Sequence, residues 1–504
     1  MELQQLFAVA SAYGAEVYLA DDELAQAEVT GIAYDSRKVK TGFLFVAIAG
    51  GTADGHQYID AAIRAGAIAV VANERPAGLP DQIGLIMTEN SRRLLGKLAA
   101  AYYGQPEQEL RLIGVTGTNG KTTTTHLIKF LLESTGTKTG LIGTVYNQAG
   151  DHILPSTHTT PESLELFELF GHMRGAGCRA VVMEASSHAL SQGRTDSCSF
   201  NGAVFTNLTQ DHLDYHGSME AYLASKLLLF SALKNNALYP AYAVINLDDT
   251  FADYFIKASH APVWTYGSHQ QADLRLMDYQ ISSEGSSFSL RYKDKIYDVK
   301  IPLIGKFNIY NALAALTSIA AEGLDMVECI QAIKNAPQVP GRFELVQAGQ
   351  DFTVAVDYAH TPDGLENVLS AARELKPKYL ICVFGCGGDR DNSKRPLMGR
   401  IGAQLSDLAI ITTDNPRFED PAQIIAQIEA GIEPGKDHYL IEPKRALAIK
   451  KALEMAQPGS LVLIAGKGHE DYQIIQGVKH HFDDREQARA VLAKVLLRSS
   501  LAGS

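Results

Sequence analysis

RLIGVTGTNGKTTTTHLIKFLLESTG, residues 111–136, changes its hydrophobic period halfway along. The opening RLIGVTG is an apolar run that predicts a buried strand. Further on, Leu127, Ile128, Leu131 and Leu132 share one face of a helix that Gly136 is placed to end. Between the two, Gly114, Gly117 and Gly120 lead into Lys121 and the threonines Thr122–Thr125. A strand, a glycine-rich loop and a helix N-terminus in that order make an anion site. Backbone N–H groups point at oxyanions there, and the helix dipole adds about half a positive charge. Lys121 is placed to reach terminal phosphates, and the Thr122 hydroxyl to ligate Mg²⁺. Five residues separate Gly114 from Gly120, so the motif is G-x-x-G-x-x-G-K-T rather than the usual spacing. The loop by itself fits a hydrolase, a kinase, a switch GTPase or a ligase. A guanine-specific N-K-x-D is absent, which weakens the GTPase reading.

Working outward, a chain of 504 residues predicts more than one domain. Residues 1–107 read as a small α/β unit, with TGFLFVAIAG as a strand. A linker falls at QPEQEL, and residues 108–338 form a second unit with strands at RLIGVTG, RAVVMEA, GAVFTN and YAVINL. Two prolines and a glycine in APQVPGRFELV mark the next boundary. Residues 339–504 carry strands at FTVAVDYA, YLICVFG, LAIITTD and SLVLIAG. Strands alternating with helices predict the α/β class with parallel sheets. In such sheets ligands sit past the carboxyl ends of the strands. GTNGKT, EASSH, NLTQDH, DYAHTPD, GCGGDRD, DNPR and GKGHE all fall there.

A composition of 46% hydrophobic and 20% charged residues is that of an ordinary globular protein. The net charge of −12 argues against a nucleic-acid partner, whose footprint is basic. No apolar run reaches membrane-spanning length, and the N-terminus lacks the pattern of a signal peptide. Cys178, Cys198, Cys329, Cys382 and Cys386 are scattered, as reduced cytoplasmic thiols are. Cys382 and Cys386 leave a metal pair open beside the reading of a buried strand. The pair His480–His481 lacks the spacing of metal ligands and reads as a loop, with Asp483 or Asp484 capping the final helix.

GTNGKTTT, MEASSHAL, TNLTQDHLDYHG, LIGKFNIYNALAA and PGRFE together resemble the ATP-dependent Mur ligases. YDSRKVKTGFLFVAIAG, TTPE, SQGR, DYAHTPD, FGCGGDRDNSKRPLMG, DNPRFEDP and AGKGHEDYQ extend the resemblance over essentially the whole chain, in order. The resemblance implies a first domain (1–107) that grips a uridine nucleotide, a central ATP domain (108–338) and a C-terminal, Rossmann-like amino-acid domain (339–504). It implies a two-step amide ligation, in which a carboxylate attacks the γ-phosphate of ATP and an amine displaces phosphate from the acyl phosphate.

By the same match, ATP is held by Gly117, Thr118, Asn119, Gly120, Lys121, Thr122, Thr123, Asn308, Arg342 and Asp357. Mg²⁺ is held by Thr122, Glu184, His212 and a carbamate on Lys226. Read without the family, Glu184 is a hard oxygen ligand after an apolar strand, and Lys226 is a helix lysine on a solvated face. Carbamylation requires a lowered lysine pKa, so that the neutral amine can react with carbon dioxide. Lys121, Lys226 and His212 are the implied catalytic set.

Tyr34, Ser36, Thr159, Thr160, Ser186, Gln192 and Arg194 match contacts to UDP-N-acetylmuramoyl-dipeptide. His158 stands where many relatives have Asn. Arg390, Asp414, Asn415, Pro416, Arg417, Gly466 and Glu470 match a pocket for meso-diaminopimelate. DNPR follows a strand and precedes a helix that Asp420 can cap, with Pro421 in its first turn and Gln423 reaching back. A guanidinium on that fixed loop suits the second carboxylate of meso-diaminopimelate, and Glu470 its far ammonium. Addition of L-lysine, or a phosphate-loop regulatory ATPase, are the alternatives. The protein is expected to be a cytoplasmic monomer that engages neither nucleic acid nor membrane.

Overall fold

Runs such as AVVME (Ala180–Glu184) and LVLIA (Leu461–Ala465) are apolar on both faces, so they are stable only inside a sheet covered on both sides. The computed structural model places both at such positions. It describes residues 1–50, 53–236, 238–433, 435 and 438–502, with the side chains of 495–502 left aside.

Three large sheets follow one another along the chain. The first has five strands in the order Glu16–Tyr18, Gly84–Met87, Ala67–Ala72, Phe43–Val46, Gly31–Ala33, and only its Glu16–Tyr18 edge is antiparallel.

The second sheet has eleven strands. Its centre runs Val263–Gly267, Tyr242–Asn246, Phe200–Phe205, Arg111–Thr116, Ala180–Glu184, Thr139–Ile142, all parallel. Both edges depart from the all-parallel expectation. Leu274–Ser282, Gly285–Tyr292 and Lys295–Ile301 form an antiparallel meander at one side, and Tyr146–Ala149 with His152–Pro155 a hairpin at the other. The meander alternates buried and exposed residues because only one of its faces is covered.

The third sheet runs Glu344–Leu345, Thr353–Asp357, Leu461–Ala465, Leu380–Phe384, Leu408–Ile411, Tyr439–Ile441, antiparallel only at Glu344–Leu345.

Helices cover these sheets. Leu127, Ile128, Leu131 and Leu132 of the helix Lys121–Ser134 are buried against Ile113, Val115 and Val182. Each such side chain stabilises the fold by about 1.5–3 kcal/mol relative to exposure. The helix Pro421–Glu429 starts as expected, with Asp420 accepting from Ala422 N at 3.0 Å. No return bond from the Gln423 side chain is found among the described residues.

His480 and His481 are not in a loop. They end the strand Val478–His481, paired with Tyr472–Ile475, and Asp483 then caps the last helix by accepting from Arg485 N at 2.7 Å. All five cysteines are buried free thiols, Cys382 within the strand Leu380–Phe384. Among the described residues no helix is long and apolar enough to cross a membrane.

Candidate active site

The carboxyl ends of the parallel strands in the second and third sheets face a common cleft of about 650 Å³. Its floor is the glycine loop. Gly117 has φ +148°, and a Cβ there would lie 1.9 Å from Thr206 Oγ1; Gly120 has φ +86° and faces Asn311 Oδ1 at 2.4 Å. Only glycine lets the backbone run this close to its neighbours. Gly117→Ala is therefore expected to raise KM for ATP by at least ~10-fold, since backbone strain alone costs about 1–3 kcal/mol. An unchanged ATP KM would refute the close-packed loop.

Two ammonium groups converge on this loop. Lys121 Nζ donates to the carbonyls of Gly117 and Thr118, each at 2.8 Å. Lys226 Nζ donates to the same Gly117 carbonyl at 2.9 Å. The side chain of Lys226 is buried, which overturns the solvated-face reading. Burial, then the charge of Lys121, pushes the Lys226 pKa well below its ordinary value, against the pull of Asp211. Burial lowers Lys121 too. Two cations sharing one neutral carbonyl make a site that calls for an anion.

Glu184 ends the strand Ala180–Glu184 and is 1% exposed. It accepts from Thr122 Oγ1 at 3.0 and 3.1 Å, from Thr144 N at 2.8 Å and from Thr144 Oγ1 at 3.1 Å. All these donors are uncharged. A buried carboxylate beside a hydroxyl and a phosphate loop is the hard-oxygen set that suits Mg²⁺, which takes its other oxygens from phosphates and water. Among the described residues no three His, Cys, Asp or Glu side chains form a metal cage.

Arg342 crosses from the PGRFE turn, and its Nη2 donates to Thr122 Oγ1 at 2.9 Å. Its guanidinium lies 4.9 Å from the Tyr358 ring centroid, and its buried Nε has no hydrogen-bond partner among the described residues. Asp357 accepts from Phe343 N at 2.7 Å and Ala359 N at 2.8 Å. Burial pushes its pKa up to about 6 against the opposing pull of Arg342. Asn308 does not line the cleft. Its Nδ2 donates to Ile304 O at 2.8 Å and its Oδ1 accepts from Asn311, so Asn311, three residues on, presents there instead.

His212 has φ +54°, with its ring 4.7 Å from His188 and 3.4 Å from Asp211 Oδ2. Thr159 accepts from Thr144 Oγ1 at 3.0 Å. Thr160 Oγ1 donates to the Glu184 carbonyl at 2.7 Å and accepts from Ser186 N at 3.0 Å. Arg194 donates to Thr160 O at 3.0 Å and to Gln192 Oε1 at 2.6 Å. Tyr34 donates to Glu165 Oε1 at 2.8 Å, linking the first sheet to the helix Ser163–Gly175. Ser36 begins a short turn that Asp35 caps. His158 is exposed. Thr144, Asn311, Glu162 and Arg92, the last two ion-paired with each other, escaped the sequence reading. Asn311 and Glu162 lie within LIGKFNIYNALAA and TTPE, but nothing in those segments singles them out, and only packing shows all four.

At the end of the third sheet, Asn415 Nδ2 donates to Glu470 Oε2 at 2.8 Å. Gly466, at φ +116°, would place a Cβ 2.7 Å from Asp414 Oδ2. Arg417 has φ +51° and is held by bonds from its N to Ile474 O at 3.0 Å and to its O from Gln476 N at 2.7 Å. Its Nη1 donates to Gly388 O at 2.6 Å, leaving the other guanidinium donors free of that bond. Pro416 packs its carbonyl where a Cβ on Gly388 would lie, at 2.0 Å. Arg390 is exposed next to Asp389, whose Oδ2 accepts from Phe418 N at 3.1 Å. Arg445, fully buried, pairs with Asp484 at 2.6 Å and donates to Ala465 O at 3.0 Å, anchoring the end of the strand that Gly466 follows.

A phosphate loop facing a second sheet that brings its own charged side chains to the cleft suits a nucleotide-dependent enzyme. Residues 28–103 match the Mur ligase family catalytic domain, 115–319 the Mur ligase middle domain, and 341–468 the Mur ligase glutamate ligase domain. The chain is 49% identical over 466 residues to the UDP-N-acetylmuramoyl-L-alanyl-D-glutamate–2,6-diaminopimelate ligase of Syntrophomonas wolfei, covering 92% of this chain and 95% of that one. It is 44% identical to the Listeria innocua ligase of the same name, covering 98% and 99%. A solved structure of a ligase of that name superposes with a TM-score of 0.67 at 36% identity, covering 94% of this chain and 96% of that one. The fold is shared with the MurF ligase of Thermotoga maritima in complex with ADP, with a TM-score of 0.65 at 20% identity and coverage of 94% and 99%. The chain belongs to the Mur ligase family.

Proposed function

We propose that this chain is the ATP-dependent ligase that joins meso-diaminopimelate to the D-glutamate of UDP-N-acetylmuramoyl-L-alanyl-D-glutamate, a step of peptidoglycan precursor synthesis. The observation that carries the substrate assignment is Arg417. It is fixed by two backbone bonds, one of them to Ile474, which in turn donates to Asn415, the partner of Glu470. L-lysine has no carboxylate for that guanidinium.

ATP and Mg²⁺ are the cofactors. Mg²⁺, which Thr122, Glu184, His212 and the Lys226 carbamate would hold, would supply charge neutralisation at the phosphates. Glu184 is kept in place by its bonds from Thr144. Gly117, Thr118, Asn119, Gly120 and Thr123 present the loop. Lys121 and Arg342 offset the repulsion between an attacking carboxylate and the triphosphate, which is where most of the rate of phosphoryl transfer arises. Asp357 takes the ribose side and Asn308, through Asn311, the adenine side. Lys226, with its lowered pKa, accepts carbon dioxide to become a carbamate, losing one proton; His212 flanks it.

The substrate's D-glutamyl carboxylate attacks the γ-phosphorus and ADP leaves. The amine of the third residue then attacks the acyl carbon, phosphate leaves, and the amine gives up a proton. Tyr34, Ser36, Thr159, Thr160, Ser186, Gln192 and Arg194 hold the uridine-linked peptide. Arg390, Asp414, Asn415, Pro416, Arg417, Gly466 and Glu470 hold the diamino acid. The work is divided among residues 1–107, 108–338 and 339–504, in a cytoplasmic monomer.

The test is an amino-acid panel with product mass as readout. Steady-state ADP release, beyond the single turnover that acyl-phosphate formation allows, is expected only when the uridine-linked dipeptide and meso-diaminopimelate are both present. Turnover of ATP without them would favour a regulatory ATPase.

A further inference from the structure

Lys467 is a buried cation that the reaction above does not use. Its side chain has no exposed surface. Nζ donates to Glu470 Oε2 at 3.0 Å and to Asn415 Oδ1 at 3.3 Å. Asn415 Nδ2 reaches the same Glu470 oxygen at 2.8 Å. Side chains from two loops thus close a triangle, and Glu470 Oε1 receives neither of these bonds. The ring centroid of Tyr472 lies 5.4 Å from Lys467 Nζ. Arg417 is tied to the same cluster through Ile474, whose O accepts from Arg417 N at 3.0 Å and whose N donates to Asn415 Oδ1 at 2.9 Å.

A buried ammonium is costly unless it is paired, and here Glu470 pairs it. Glu470 is therefore already neutralised when a substrate arrives. A far ammonium that binds Oε1 brings a second cation to the same carboxylate, in a place where little water screens the repulsion. A ligand that carries a carboxylate beside its far ammonium restores the balance, because that carboxylate pairs with Arg417. A ligand with an ammonium alone does not.

Resting on the diaminopimelate-adding reaction proposed above, we infer that Lys467 is a specificity-determining residue, whose ammonium on Glu470 and Asn415 rejects amino acids with a purely cationic far end. Arg417 attracts the right substrate, and Lys467 repels the wrong one. Specificity built from both an attractive and a repulsive element is a general device.

The experiment compares kcat/KM for meso-diaminopimelate, L-lysine and 2-aminopimelate in wild type, Lys467→Met and Lys467→Arg. 2-Aminopimelate keeps the far carboxylate and lacks the far ammonium. In Lys467→Met the ratio of meso-diaminopimelate to L-lysine use is expected to fall at least ~10-fold, with L-lysine gaining and 2-aminopimelate gaining nothing. Lys467→Arg, which keeps the charge, should hold the wild-type ratio. If Lys467→Met does not fold, Lys467→Gln carries the same comparison. Equal loss for meso-diaminopimelate and L-lysine would mean that Lys467 only props up Glu470, and would overturn the inference. So would an equal gain for L-lysine and 2-aminopimelate, or a ratio in Lys467→Arg as low as in the methionine variant. A wild type that prefers L-lysine, or ligates neither amino acid, would overturn the proposed function itself, whatever the variants do.

Discussion

Lys226→Ala is expected to lower ligation by about 10²–10³-fold, the usual loss when one oriented charge is removed from an enclosed site. The side chain is buried, and its Nζ touches the Gly117 carbonyl that Lys121 also uses. Burial depresses its pKa first and the Lys121 charge second. Both effects favour the neutral amine, the form that reacts with carbon dioxide. A carbamate formed there would place a negative charge beside Lys121, where two positive charges would repel. Alanine removes both amine and carbamate. Binding of the uridine-linked dipeptide should survive, because the proposed function gives its uridine end to Tyr34 and Ser36, far along the chain from Lys226. Formate or acetate should restore part of the rate by standing in for the carbamate. Normal turnover in the alanine variant would refute the role of Lys226. A collapse of dipeptide binding by the same factor would mean that the variant has damaged the fold instead.

Arg417→Ala should erase the preference for meso-diaminopimelate over L-lysine. The loss in kcat/KM for meso-diaminopimelate is expected to be about 2–5 kcal/mol, roughly 30- to 5,000-fold, because one partner of a desolvated charge pair is removed. L-lysine, which never used the guanidinium, should lose little. The wild-type preference itself can reach about 10⁴-fold, since leaving a partly buried donor unpaired is costly. The backbone of Arg417 lies at φ +51° and is clamped by Ile474 and Gln476, so the loop should keep its path without the side chain. If the preference survives in Arg417→Ala, the guanidinium is not what reads the second carboxylate. Equal loss for both amino acids would point to a displaced loop.

Much of the fold was legible because it is written in local periods. The glycine spacing from Gly114 to Gly120 and the apolar face of Leu127, Ile128, Leu131 and Leu132 concern neighbours within one or two turns. The buried strands were legible for a similar reason: a run such as Leu461–Ala465, apolar on both faces, has no stable place outside a covered sheet. The edges were not. The meander from Leu274 to Ile301 is half exposed and the strand Val478–His481 exposed throughout, so their apolar signal is diluted or absent.

By itself, then, the sequence determined the α/β class, the strand–loop–helix of the phosphate site and the run of charged segments at strand ends. These follow from hydrophobic period and turn chemistry, which act over a few residues. Only the tertiary structure decided that Lys226 is buried rather than solvated, that Lys121 and Lys226 meet at one carbonyl, that Asn311 rather than Asn308 faces the cleft, and that Lys467 closes a triangle with Asn415 and Glu470. The physical reason is distance along the chain. Lys226 and Gly117 are 109 residues apart, and Lys467 and Asn415 are 52 apart. Whether a lysine is solvated or desolvated depends on which strands and helices close over it, and no local pattern in residues 219–231 or 466–470 encodes that.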